Sequence, residues 1–161
     1  MVFIDSDGKF LKDALQFTAD SIPENKLRFG LGIGSPEDIV NCVRMGWDMF
    51  DCVIPTREGC HGRLFYPSFP VFLPLLVSAG KEGARAFYKT INLTNAKFAK
   101  DFSLINENSK LTMLKKYSKA YLHHLFKIND PLAGHLASLN NLEFYLELMK
   151  NIRLAILEGK I

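Results

Sequence analysis

The side chains able to do chemistry gather in two stretches of the first sixty residues. Asp51 sits inside a short apolar run at 49–54 (MFDCVI). A carboxylate there must be desolvated unless the strand end opens into a polar site. Two explanations stay open from pattern alone: an ion pair with a nearby cation such as Arg57, or a positioned nucleophile or base. The C-terminal ends of strands in parallel α/β architectures form the face on which active sites are built, which favours the second modestly.

The second stretch is Gly30-Leu31-Gly32-Ile33-Gly34. It lacks the GxGxxG spacing of a dinucleotide site and suits close approach of a flat ligand or an RNA backbone, or equally close packing between strands. His123, His124 and His135 do not form a convincing metal set. Adjacent histidines on a helix point about 100° apart, no cysteine or acid stands at ligand spacing, and a packed or capping role is expected. Lys110, Lys115, Lys116 and Lys119 could face phosphate or form a solvated face.

These residues need elements to hold them. Phe10, Ala14, Leu15 and Thr18 recur at three and four, predicting a short helix over 10–19 closed by Pro23. Residues 27–33 (LRFGLGI) read as a buried strand ending at Gly34. Ser35-Pro36-Glu37-Asp38 supplies an N-cap, a first-turn proline and an acid three residues after the cap, so a helix starts there and ends at Gly46. With 49–54 as a second strand, the order strand, helix, strand predicts a parallel α/β unit. Residues 66–86 match neither period and are expected to be an insertion. Residues 91–102 are polar and short-stranded. From Tyr117 onward helices are expected, broken near Asp130-Pro131 and Asn140-Asn141, with a last helix carrying Leu142, Tyr145, Met149, Ile152 and Ile156 on one side and Gly159 as its cap.

The 161 residues are 48% hydrophobic, enough for a core, and carry a formal charge of +3, too weakly basic to mark a dedicated nucleic-acid binder. Three cysteines and no basic, apolar leader point to a reduced, cytoplasmic setting. The most apolar stretch, 69–77, is interrupted by Pro70 and Pro74 and falls well short of the roughly 20 residues of a membrane span.

The run GWDMFDCVIPTREGCHGRLF at 46–65 resembles the signature of the tRNA-guanine transglycosylases. The likeness extends to LGIGSPEDIV before it, and to INLTNAKFAKDF, YSKAYLHHLFK and NNLEFYLELMKNIRLAILEGKI after it. It implies a TIM barrel with an added zinc subdomain that exchanges guanine at the tRNA wobble position for queuine or its precursor. By this resemblance Asp51 corresponds to the nucleophile that attacks the ribose anomeric carbon, a suitable task for a carboxylate that captures an oxocarbenium-like centre. Leu31 and Gly32 match positions lining the pocket for the extruded base. Gly32, Ile33, Gly34, Ser35, Pro36, Glu37 and Asp38, with Thr56, Arg57, Glu58, Gly59 and Cys60, match RNA-contacting loops, Arg57 being best suited to hold a phosphate or base edge.

The departures are specific. Where the family carries zinc ligands, this chain has Ser109, Leu111, Leu114 and Asn140, so no metal and no other cofactor are expected. Cys60 replaces an expected arginine and His61 the asparagine of an Asn-Gly pair. The fold expected is α/β, a partial TIM barrel contributing its last two strands and helices over 1–65, an insertion at 66–86, and a mainly helical subdomain without its zinc site over 87–161. A barrel takes about 250 residues. The missing strands, the general base and most of the base pocket would therefore come from a second chain supplying the N-terminal barrel half, or the chain would serve as a tRNA-binding accessory or be a decayed duplicate. The expected partners are tRNA and that second chain, or a second copy, and not a membrane.

Overall fold

The computed structural model describes residues 11–68 and 87–161. Helix α1 (Lys12–Ser21) turns Leu15 and Ala19 inward. Its C-terminal carbonyls are met by Arg28, whose guanidinium donates to Ala19 O at 2.9 Å and Ile22 O at 3.1 Å, placing a cation at the negative end of the helix. Strand β1 (Phe29–Leu31) pairs in parallel with β2 (Met49–Asp51) in the register Phe29 with Met49, Gly30 with Phe50 and Leu31 with Asp51. Helix α2 (Pro36–Arg44) forms the crossover, so the expected strand, helix, strand unit is present. Ser35 caps α2 by accepting from Asp38 N at 3.2 Å, and Pro36 occupies the first turn.

Both strands are shorter than the apolar runs suggest. Beyond Leu31 the chain turns through Gly32, at φ 74°, a left-handed backbone that glycine adopts without strain. Beyond Asp51 a helix not anticipated from the sequence, α3 (Ile54–Cys60), begins with Pro55 in its first turn. The segment 56–60 is therefore helical rather than a loop.

The second half is built on one helix. After strand β3 (Arg63–Pro67), paired antiparallel with β4 (Tyr88–Asn92), come two single-turn helices at Ala96–Phe98 and Thr112–Lys115, then α4 (Lys119–Lys127) and α5 (Pro131–Leu157). Tyr66 and Pro67 thus belong to the hairpin, and 69–86, the bulk of the expected insertion, lies outside the described residues, as does Phe10. The 27-residue α5 spans two cores. Ala133, Leu136 and Ala137 join Leu64, Leu93, Ile105, Leu114, Leu122 and Leu125, while Phe144, Tyr145, Leu148 and Ile152 join Ile39, Val40, Phe65 and Phe87. A third cluster of Leu15, Ala19, Ile33, Cys42 and Trp47 sits beneath the parallel pair.

The break expected at Asn140-Asn141 does not occur. Asparagine disfavours helix interiors because its amide competes for local backbone groups. Here both amides are spent on other elements. Asn140 donates to Phe65 O at 2.9 Å, and Asn141 donates to Pro55 O and Arg63 O, both at 2.9 Å, while its oxygen accepts from Phe65 N at 3.0 Å. The pair stitches α3 and β3 to the middle of α5. Gly59 completes that junction, since a Cβ there would lie 2.8 Å from the Ser138 backbone nitrogen. Among the described residues no helix is long and apolar enough to cross a membrane.

Candidate active site

Asp51 is exposed, not desolvated. None of the described residues covers the outer faces of β1 and β2, and Leu31 and Met49 are also open, at 54% and 42% of their surface. Asp51 Oδ1 accepts the Gly32 N–H at 2.8 Å, and the strand register sets Leu31 directly beside it. Leu31, Gly32 and Asp51 therefore meet at the C-terminal end of the parallel pair. Arg57 does not pair with Asp51. Its Nε lies 3.6 Å from Glu58 Oε1, and no cation among the described residues pairs with Asp51.

The three glycines separate by role. A side chain on Gly30 would meet Ile33 and Phe50, and one on Gly34 would run into Cys52, so both are demanded by packing inside the chain. Around Gly32 there is open space. It alone of the three leaves room for a ligand, and it is the one that holds the carboxylate.

The twelve positions matched to RNA contacts divide by burial. Gly32, Glu37, Thr56, Arg57 and Cys60 are exposed and Ser35, Asp38 and Glu58 half-buried, whereas Ile33, Gly34, Pro36 and Gly59 are buried. Both segments are anchored to α5 by side chains that the sequence reading passed over for function. Tyr145 Oη donates to Gly34 O at 2.8 Å, Asn141 reaches Pro55 O, and Ser138 Oγ donates to Thr56 O at 3.5 Å. Burial and the neighbouring Cys52 push the Tyr145 hydroxyl well above the usual phenol range, so it stays a neutral donor. The signal for this role was the polar pair Asn140-Asn141 at core spacing within an apolar helix pattern.

The two segments also share a cavity of about 430 Å³, lined by Ser35, Pro36, Glu37, Ile54, Arg57 and Glu58 together with Arg63, Phe65, Tyr88, Lys89 and Thr90 of the hairpin. Tyr88 Oη donates to Glu37 Oε2 at 2.7 Å across it. Burial first, then this hydrogen bond and the Glu37 charge, push the Tyr88 hydroxyl upward.

The four positions that match metal ligands hold no donor set. Leu114 is fully buried in the core, Asn140 spends its amide on Phe65 O and accepts from Asn106 Nδ2 at 3.0 Å, and Ser109 Oγ donates to Glu143 Oε2 at 2.6 Å. No group of three or more His, Cys, Asp or Glu converges among the described residues. His123 Nδ1 lies 2.7 Å from Leu93 O in the core, the packed role expected of it. Lys110 and Lys119 are tied to Glu147 at 3.1 Å and to Ser103 at 2.8 Å.

A family model described as queuine tRNA-ribosyltransferase matches residues 6–161. The queuine tRNA-ribosyltransferase of Rhizobium meliloti (strain 1021) is 42% identical over 146 residues, covering 91% of this chain and 34% of the relative. That of Helicobacter pylori (strain ATCC 700392 / 26695) is 42% identical over 148 residues, covering 92% and 34%. The chain thus spans about a third of the length of the curated relatives it matches. With a family model over residues 6–161 and relatives 42% identical over nine-tenths of its length, the chain belongs to the queuine tRNA-ribosyltransferase family.

Proposed function

We propose that this chain is the nucleophile-bearing, RNA-contacting portion of a tRNA-guanine transglycosylase, in which Asp51 attacks the ribose anomeric carbon of the wobble nucleotide. The observation that carries this reading is the Gly32 N–H bond to Asp51 Oδ1. It orients the carboxylate, and Oδ2 has no partner among the described residues and is the oxygen left to form the ester. As that bond forms, the glycosidic bond breaks and guanine leaves with its electron pair. An incoming queuine or precursor then reverses the step, as in a retaining glycosyl transfer. Leu31 and Gly32 flank the base, and the exposed members of the two RNA segments, Arg57 foremost, hold the strand.

The fold we infer is a partial TIM barrel with β1 and β2 as its last two strands, followed by a helical subdomain that keeps its shape without zinc. Exposed Leu27, Phe29, Leu31, Met49 and Val53 on and around the two strands support a second chain that would cover them and bring the general base. The Asn106–Asn140 and Ser109–Glu143 bonds support packing and polar contacts in place of a metal. The setting is inferred to be the cytoplasm, where tRNA is available and the three free thiols stay reduced.

The test mixes the chain with a polypeptide carrying the N-terminal barrel portion of a relative and looks for a denaturation-stable RNA adduct. The adduct should form with the parent and vanish in Asp51→Ala. Adduct formation or base exchange by the alanine variant rejects the assignment. One zinc per chain on metal analysis rejects the metal-free subdomain. Cys60, standing where an arginine is expected, favours the alternative of a non-catalytic tRNA-binding subunit, which predicts tRNA binding without any adduct.

A further inference from the structure

The cavity joining the two RNA segments has a third wall that neither the sequence motif nor the family likeness assigns. We propose that the β3–β4 hairpin binds the tRNA backbone, with Arg63, Lys89 and Thr90 taking phosphate oxygens of nucleotides that leave the reaction site; this rests on the reading that the chain acts on tRNA. At about 430 Å³ the cavity suits a nucleotide-sized segment, since small-ligand clefts run ~300–1,000 Å³. Ser35, Glu37, Arg57 and Glu58 enter it from the matched segments, so RNA held there passes the hairpin next.

The charge distribution favours an anion. Arg57 and Arg63 share a single carboxylate, Glu58, at 3.6 and 3.2 Å. Both guanidinium groups are more than half exposed, so these ion pairs are weak and yield to a phosphate. Arg63 keeps further N–H donors in a planar fork suited to phosphate. Lys89 is exposed and has no carboxylate partner among the described residues. The other acid, Glu37, is held by the Tyr88 hydroxyl, a bond that also locks the hairpin to the start of α2.

Titration of the full chain with a labelled tRNA transcript, followed by fluorescence anisotropy at several salt concentrations, tests this. The double variant Arg63→Gln/Lys89→Gln changes only exposed side chains, and circular dichroism verifies its fold. It should bind on the order of tenfold more weakly, and its log–log salt slope should be shallower by about 1.4, for two lost contacts at ~0.7 each on single-stranded RNA. Lys127→Gln, on α4 away from the cavity, should match the parent. A double variant with the parent's affinity and slope overturns the hairpin site while leaving the transglycosylase reading intact. Failure of the parent chain to bind tRNA, or binding by the parent that does not weaken with salt, overturns the hairpin site, whereas the transglycosylase reading falls only on the adduct test with the complementing barrel portion.

Discussion

Asn141→Ala separates local propensity from tertiary organisation by the sign of its effect. On propensity alone the substitution stabilises the chain, because alanine is the better helix former by up to about 0.7 kcal/mol. The structure predicts the reverse. Asn141 is fully buried, and its removal leaves Phe65 N–H and the carbonyls of Pro55 and Arg63 without their partner. An orphaned buried backbone donor costs about 1–3 kcal/mol, and two under-satisfied carbonyls and a small void add to it. Against the propensity gain the net loss should be about 3 kcal/mol. Urea unfolding of the full chain, followed by circular dichroism at 222 nm, reads this directly. With a slope of about 2 kcal/mol/M, the midpoint should fall by about 1.5 M at unchanged slope. A midpoint equal to or above the parent's would mean that α5 does not hold α3 and β3 through this amide, and the positioning of residues 56–60 would need another cause.

The other expectations are smaller and independent. Tyr145→Phe removes the donor on Gly34 O and should cost about 1 kcal/mol by the same urea assay, whereas no change would show that the bond is not made in solution. Asp51→Asn keeps an acceptor for Gly32 N–H, so it should unfold at the parent's midpoint yet form no RNA adduct in the reconstituted system. Asp51→Ala should lose both, and equal midpoints for the two variants would count against the Gly32 bond. For the thiols, burial, with a smaller contribution from the Asp38 charge, pushes Cys42 up to about 12. Burial also raises Cys52, while Cys60 is exposed. Brief treatment with N-ethylmaleimide at pH 8 and peptide mapping should find Cys60 alkylated first and Cys42 last. Cys42 reacting as fast as Cys60 in the native protein would contradict its burial.

What the sequence made legible was whatever depends on a local period or cap. The Ser35 cap, the Gly159 end and the parallel unit around Asp51 all follow from neighbours within a few residues. The face expected on the last helix is only partly the buried one: Tyr145 and Ile152 point inward, but Leu142 and Ile156 are exposed, and Phe144, Leu148 and Ala155 fill the core in their place. The misses arose where a distant partner reverses a local preference. Asn140 and Asn141 read as a break because nothing nearby could satisfy them, yet their partners lie 75 to 86 residues away. Helix α3 was concealed by a proline that suited a strand end as well as a helix start. At the site, the type and place of Asp51 were visible, but its exposure was not. An apolar run normally signals burial, whereas this one is apolar toward a surface that the described residues leave open.

That open surface sharpens the role of the Gly32 bond. Two strands of three residues cannot hold their own register in water, since isolated two-stranded pairs are marginal even when longer. Here the register is pinned at both ends by aspartates. Asp48 Oδ2 accepts from Arg28 N at 2.9 Å before the pair begins, and Asp51 Oδ1 accepts from Gly32 N at 2.8 Å where it ends. The carboxylate assigned to attack is thus also a structural clamp, and the two roles use different oxygens. If Oδ2 becomes the ester oxygen, Oδ1 becomes a carbonyl that still accepts from Gly32. On the proposed reading, the strand ends, the carboxyl group and Leu31 beside it can therefore keep one arrangement from free enzyme to covalent intermediate. On that same reading, the part of the site carried by this chain is set by its own hydrogen bonds, and a complementing barrel half would have to supply chemistry without rebuilding the position of Asp51.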